Sequence, residues 1–289
     1  MAWLVTTKRY QLILMENTTQ LGAFSSRHSP AKGFLYFSYF IFILFSGISG
    51  LIYFKGILAV KEGRMNFSGD INMLYWVIAF IMVLGLIILF SVYKMTQGKT
   101  HHLYENGIIT EDDGQSKTLF FRDMEDIYLF SSGKSFTTNN LAFRNRSGGD
   151  WEILTVRYSK VFKAINYITD RHAHLYVDKI LAELGNNKSV TFNYINYGTS
   201  LRKRIFATGT NSFLKVEPKD IVVYKDRLII DSKTIMISNL ERFSVNNWIN
   251  QINLYNKQNE VVFSTATNGI FSGKSFITLM DKLINQTRS

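Results

Sequence analysis

The chain holds no cysteine and only two prolines and five histidines in 289 residues, and charged side chains make up just 19% of it. Without cysteine there is no disulfide framework and no thiolate metal site. An average soluble domain carries about 25% charged residues, so this chain is short of charge. Acidic residues are the scarcer sign, 22 against 33 basic ones, which leaves a formal charge of +11. That excess suits anionic lipid, nucleic acid or an acidic partner and does not choose between them. What is abundant is apolar: 46% hydrophobic and 15% aromatic residues, far too greasy for a disordered chain.

The missing charge is concentrated in two places. Gly33–Phe54 (GFLYFSYFIFILFSGISGLIYF) and Ile71–Tyr93 (INMLYWVIAFIMVLGLIILFSVY) contain no charged side chain. A hydrocarbon core ~30 Å thick needs about 20 residues at 1.5 Å each, so both segments are long enough to cross it. Core helices of soluble proteins keep a polar stripe and run shorter. Tyr36, Tyr39, Tyr53, Tyr75, Trp76 and Tyr93 stand near the segment ends, as interfacial aromatics do. The sequence predicts an N-terminal tail (1–32) and then a transmembrane hairpin (33–94), with helices over about 33–54 and 71–93. A cleaved signal peptide does not fit, because the apolar run is too long and a second span follows. Ser46 and Gly50 offer a small-residue notch that the second helix approaches near Ala79 or Gly85. Arg27, Lys32, Lys94 and Lys99 flank the outer ends, against Lys55, Lys61 and Arg64 in the connection Lys55–Asp70. The basic excess places both termini in the cytoplasm and the chain in the inner (plasma) membrane as a multi-pass protein.

After Lys94 the texture changes to short alternating runs broken by turn residues. His102–Thr110 and Lys117–Arg122 read as strands joined across Asp113-Gly114, a strong hairpin signal. Ile127–Phe130, Leu141–Arg146 and Trp151–Thr155 continue the series. Arg157–Leu184 then shifts to steps of three and four, which is helical, and Gly185 is a natural stop. A second cycle follows, with strands over Val190–Tyr197, Ser212–Val216, Ile221–Tyr224, Arg227–Ile230, Thr234–Ile237, Trp248–Tyr255 and Glu260–Thr265. It closes on the apolar face Phe276, Leu279, Met280, Leu283, Ile284. The expected fold class is an α+β membrane protein: the hairpin, then two antiparallel β domains, 95–186 and 187–289, each ending in an amphipathic helix.

The segments HLYENGIITEDDGQSKTLFFRDMEDIYLF and VYKDRLIIDSKTIMISNLERFSV share a pattern of strand, turn, strand and an acidic-plus-apolar stretch. That organisation resembles the pleckstrin-homology-like (PH-like) fold, as carried by bacterial membrane-anchored proteins of uncharacterised role. The resemblance covers roughly 99–289 and involves no catalytic motif. It implies binding or scaffolding and no chemistry.

The pentapeptide Ser-Gly-Lys-Ser-Phe occurs twice, at Ser132–Phe136 and Ser272–Phe276. Gly-Lys-Ser before a helix is a phosphate-loop element, but Gly269 and Gly273 are separated by three residues where that loop needs four. The first copy has Tyr128 where the leading glycine belongs. His172 and His174 point to different faces of one helix, and His28, His101 and His102 have no ligand set around them, so no metal is expected. Glu111-Asp112-Asp113 reads as a solvated turn, while Asp123, Glu125 and Asp126 are available to pair with Arg122 or cap a turn. No nucleophile–base spacing is present, so the chain reads as no enzyme, with no cofactor.

The basic residues carry more. Residues 95–289 hold 25 Lys and Arg against 19 Asp and Glu. Arg144 and Arg146 form an Arg-x-Arg, with Lys134 upstream, and Arg157, Lys160 and Lys163 gather at a helix start. Arg202, Lys203 and Arg204 sit between Leu201 and Phe206. Arg144, Arg146, Arg202, Lys203 and Arg204 are the expected contacts with an anionic membrane surface, where each cation contributes ~1 kcal/mol. No helix-turn-helix, RNP aromatic pair or zinc module points to nucleic acid. The expected function is a non-catalytic protein holding a protein- or lipid-binding surface at the inner membrane face. Its partners would be the bilayer and another protein, with a homo-oligomer open. The alternative is an immunity or inhibitor protein against a membrane-directed toxin.

Overall fold

The computed structural model describes residues 19–131, 138–196, 198, 214–215, 217–246, 251–266 and 268–287. It is a mixed helix-and-sheet chain in two compact units. One is the segment Ser29–Lys99, and the other joins the residues before it to everything from Thr100 onward.

Ser29–Lys99 is a helical hairpin. α1 runs Gly33–Lys61, passing through a π-helical turn at Ile52–Ile57, and α2 runs Ile71–Thr96. Asp70 caps α2 by accepting the Asn72 amide at 2.9 Å. The first helix is longer than the uncharged run because Lys55 and Lys61 stay helical. No proline interrupts Gly33–Lys61, and a lysine stem can lie along apolar surface while its head reaches water. The helices meet at Gly85, where an added Cβ would lie 3.1 Å from Phe42 and 3.2 Å from Phe45. Ser46 donates to the Phe42 carbonyl at 2.9 Å and its hydroxyl approaches the Met82 sulfur at 3.8 Å. Gly85 and Ser46 thus form the close approach, whereas nothing lies within 4 Å of a Cβ at Gly50.

The other unit makes two rounds of one topology. In the first, β1 (Phe24–His28), β2 (Thr100–Tyr104), β3 (Gly107–Asp112) and β4 (Gln115–Phe120) form an antiparallel meander. A 3₁₀ turn at Phe121–Asp123 leads into a second meander of β5 (Asp126–Phe130), β6 (Asn140–Arg144) and β7 (Glu152–Leu154), and α3 (Val161–Gly185) closes the round. The second round repeats this order. β8 (Val190–Tyr194), β9 (Lys219–Val223), β10 (Arg227–Ile230) and β11 (Lys233–Met236) precede a 3₁₀ turn at Ile237–Asn239. Then come β12 (Leu240–Asn246), β13 (Gln251–Asn256), β14 (Val261–Ala266) and α4 (Gly273–Gln286).

Three differences from the sequence reading have physical causes. Residues 24–28, expected in a tail, are β1, which pairs with β2 through Arg27↔His102 and His28↔His101. FSSRH has no apolar alternation, and its partner lies beyond the whole hairpin, so only the fold reveals it. His102–Thr110, read as one strand, is two: the chain turns at Glu105–Asn106, where the Glu105 and Asn106 amides bond to Ala23 and Leu21 at 2.9 Å each. The sequence of β12 shows no strand alternation, because exposed Glu241 and Arg242 stand side by side at an irregularity in its pairing. The Asp113-Gly114 turn forms as expected, both residues at positive φ (45° and 81°), between Asp112 and its partner Gln115.

Candidate functional site

α3 belongs to both rounds. Its first turns, Val161, Ala164, Ile165 and Ile168, enter a core with Leu103, Phe121, Met124 and Phe143. Its last turns, Tyr176, Val177, Ile180 and Leu184, enter the core built around Phe192, Leu254, Phe276 and Leu279. A smaller cluster of Tyr128, Phe130, Ala142, Ile195 and Phe271 lies at the seam between them, with the Tyr128 and Phe271 rings 4.7 Å apart.

The second Ser-Gly-Lys-Ser-Phe is the joint of this seam. Ser272 takes a left-handed conformation (φ 53°, ψ 35°) just before α4. Its amide donates to the Ile127 carbonyl at 2.7 Å. The hydroxyl accepts from the Ile127 amide at 3.0 Å and donates to the Glu125 carbonyl at 2.8 Å. Asn268 donates to the Leu129 carbonyl at 3.0 Å. The outer edge of β5 is therefore covered by the chain's own segment 268–272. Lys274 pairs with Asp170, and Phe276 is fully buried. Every polar side chain of this pentapeptide is thus bound to protein, as a structural joint would require.

His172 sits beside it, at the point where α3 passes from one core to the other. Its Nε2–H donates to the Met124 carbonyl at 2.8 Å, which leaves Nδ1 to accept from the Ser275 hydroxyl, also at 2.8 Å. Burial holds the imidazole neutral, pushing its pKa down to about 4, against the smaller pull of the Met124 carbonyl. Both residues border a cavity of about 310 Å³, lined also by Ile127, Leu129, Ile270 and Ile277. Ser275 and His172 are a hydroxyl–imidazole pair with no carboxylate behind the ring, because a backbone carbonyl holds that position. Their spacing in sequence, 103 residues apart, gave no sign of the pair.

The structure sorts the expected basic residues. Arg144 is only 8% exposed, because both faces of β6 are covered, by the first core on one side and the seam cluster on the other. It pairs with buried Asp126, Nη2 to Oδ2 at 2.6 Å, and lies 4.2 Å from the Trp151 ring centre. Asn193 of the second round donates to the other Asp126 oxygen at 2.8 Å. Asp126 thus pairs with Arg144 and not with Arg122, whose nearest carboxylate is Asp123 at 3.8 Å. Glu125 accepts the Ser147 amide at 2.7 Å. Arg146 is exposed on the β6–β7 turn. Arg202, Lys203 and Arg204, like the first pentapeptide copy with Lys134, lie outside the described residues.

The histidines that flank the hairpin in the sequence are bonded locally. His28 meets the Ser159 carbonyl and the Ser26 hydroxyl at 2.9 Å each, His101 meets the Thr110 hydroxyl at 2.9 Å, and His102 meets Glu111 at 3.1 Å. Among the described residues no three His, Asp or Glu side chains converge as a metal set. No protein-family model matches the chain, and no curated protein matches it.

Proposed function

We propose that this chain is a membrane-anchored, non-catalytic binding protein. In this reading the two-helix hairpin crosses the inner (plasma) membrane, and two PH-like rounds present a protein- or lipid-binding surface on its cytoplasmic side. The observation that carries the proposal is the sorting of residues in the hairpin. In the most apolar stretches of α1 and α2 only 11% and 6% of residues are buried, and Trp76, Phe80, Ile43 and Phe40 all face outward. The buried residues are Ser38 and Ser49 in α1's first part and Gly85 in α2. Water would penalise so large an apolar shell, whereas lipid would not.

Chain order supports the same reading. The hairpin leaves from β1 and returns to β2, two strands paired directly to each other, which suits an even number of crossings. Among the described residues, seven strands in two meanders and a closing helix, made twice, support the PH-like assignment. In the second round the connection between β8 and β9 stands at the place in the order where the hairpin stands in the first. That connection carries Arg202, Lys203 and Arg204, and with Arg146 it is the proposed contact with anionic headgroups, at ~1 kcal/mol per cation.

The absence of cysteine makes the test direct. In intact cells a membrane-impermeant maleimide is expected to label Ser68→Cys in the α1–α2 connection. It should label Lys257→Cys at the β13–β14 turn only after permeabilisation. Labelling of Lys257→Cys in intact cells, or a full-length chain that stays in the supernatant after high-speed sedimentation, would overturn the reading.

A further inference from the structure

Ser272, in a left-handed conformation, is one of the residues by which the second round docks on the first, and the equivalent position of the first round has the same backbone angles. Lys160 precedes α3 with the φ 53°, ψ 35° that Ser272 has before α4. Both follow the last strand of a three-stranded meander. The rounds superpose in order through the buried pairs Phe121 and Ile237, then Met124 and Leu240. They also share a register: Ile127 faces Phe143 and Leu129 faces Leu141 in the first round, as Phe243 faces Leu254 and Val245 faces Ile252 in the second. β12 is therefore the counterpart of β5, with Phe243 and Val245 standing where Ile127 and Leu129 stand.

The two edges differ in one respect. Segment 268–272 covers β5, but among the described residues β13 is the sole strand paired with β12, and Val245 is 45% exposed. In the counterpart of the docking segment the Val156 amide bonds to Asn140 and the Ser159 carbonyl to His28, but its tip is open. Among the described residues no acceptor takes the Lys160 amide, and Val156 and Phe162 beside it are 49% and 56% exposed.

We propose that a second copy of this chain docks head to tail on the first. The 156–162 segment of one copy lies along the β12 edge of the next, and the Lys160 amide bonds to the Phe243 carbonyl as Ser272 bonds to Ile127. Val156 and Phe162 cover Val245 and half-buried Phe243. Because the two surfaces differ, each copy keeps one of each free, so copies assemble in a row or a ring. Lysine lacks the hydroxyl through which Ser272 makes two further bonds. α4 is also 14 residues long against 25 for α3, so it offers less helix to lean on. The contact between molecules is consequently weaker than the one within the chain, and reversible.

The test uses the full-length chain in its native membrane. Lys160→Cys and Val245→Cys chains with different tags are co-expressed and oxidised. A disulfide joining one of each is expected at several times the yield from either variant alone. Val261→Cys, exposed on the opposite edge of the same sheet, replaces Val245→Cys as the collision control and should stay at background. Val156→Asp/Phe162→Asp should lower the mixed product about tenfold with the far-UV spectrum unchanged. Val245→Asp serves as a second disrupting variant against a cysteine reporter at Ser244. A mixed yield no higher than the Val261→Cys control overturns the proposal, as does product dominated by Lys160→Cys joined to itself.

Discussion

The hairpin and the β unit are built from the same residue types sorted in opposite directions. In the β unit Phe121, Phe143, Phe192 and Phe276 are at most 2% exposed, and apart from buried Asp126, Arg144 and Glu152 the described Asp, Glu, Lys and Arg side chains reach the surface. In the hairpin Phe34, Phe37, Phe40, Phe80 and Phe90 face outward, and the buried residues of its most apolar stretches are Ser38, Ser49 and Gly85, with Ile57 and Ala59 buried further along α1. Apolar burial holds the first together, at about 1.5–3 kcal/mol for each fully buried large side chain. The second makes its close approach at Gly85 and Ser46, and in the proposed lipid setting packing at small residues is what would hold the helices together. Amino-acid type alone does not say inside or outside; on the proposed reading the medium decides.

The largest effects that would break this contrast lie in the β unit. Phe276→Ala is expected to destabilise it by about 3–5 kcal/mol in a denaturant titration, whereas Phe80→Ala in α2 should leave that transition in place. Asp126→Ala, which strands buried Arg144, should cost about 3–5 kcal/mol by the same measurement, and an unchanged midpoint would show the pair to be solvated. In the hairpin, Leu86→Arg should weaken insertion by about 2.5–3.5 kcal/mol, read as loss of carbonate-resistant membrane association. Leu86 is 52% exposed, so if the hairpin lay in water this substitution would cost almost nothing.

His172 gives an effect of about 3 kcal/mol that depends on pH. Its folded pKa of about 4 lies below its ordinary 6.5, so the unfolded chain binds the extra proton first as acid is added. Its contribution is complete at pH 7, declines as pH falls below about 6.5 and levels off near 4. His172→Gln should flatten that part of the stability–pH curve, and an equally steep curve in the variant would remove His172 as its source. The smallest expected effect is Arg146→Ala, within about 0.5 kcal/mol in stability, because the residue is exposed. Against Asp126→Ala it separates a surface cation from a buried ion pair two residues away in sequence.

How much could be read in advance follows the range of the interactions. The Asp113-Gly114 turn, the α4 face and the two uncharged runs are local patterns, and each marks an element at its position. β1 was not legible, since FSSRH becomes a strand only by pairing with residues beyond the hairpin. Arg144 read as a surface cation because Arg-x-Arg is a surface pattern, while its partners Asp126 and Asn193 come from another strand and the other round. The Ser-Gly-Lys-Ser repeat was visible and its phosphate-loop spacing fails, but its role as a joint needed the β5 edge beside it.

Sequence by itself determined the lengths of the two apolar runs, the basic excess, and the alternation of strand-rich stretches with amphipathic helices. These depend on composition and on spacing along the chain. Tertiary structure alone decided that the hairpin interrupts a sheet between adjacent strands, that one long helix serves two cores, and that a serine in a left-handed turn ties the rounds together. Those are contacts between residues up to 147 positions apart. Their free energy comes from groups that meet only after the chain has closed the loops between them, so no local pattern carries it.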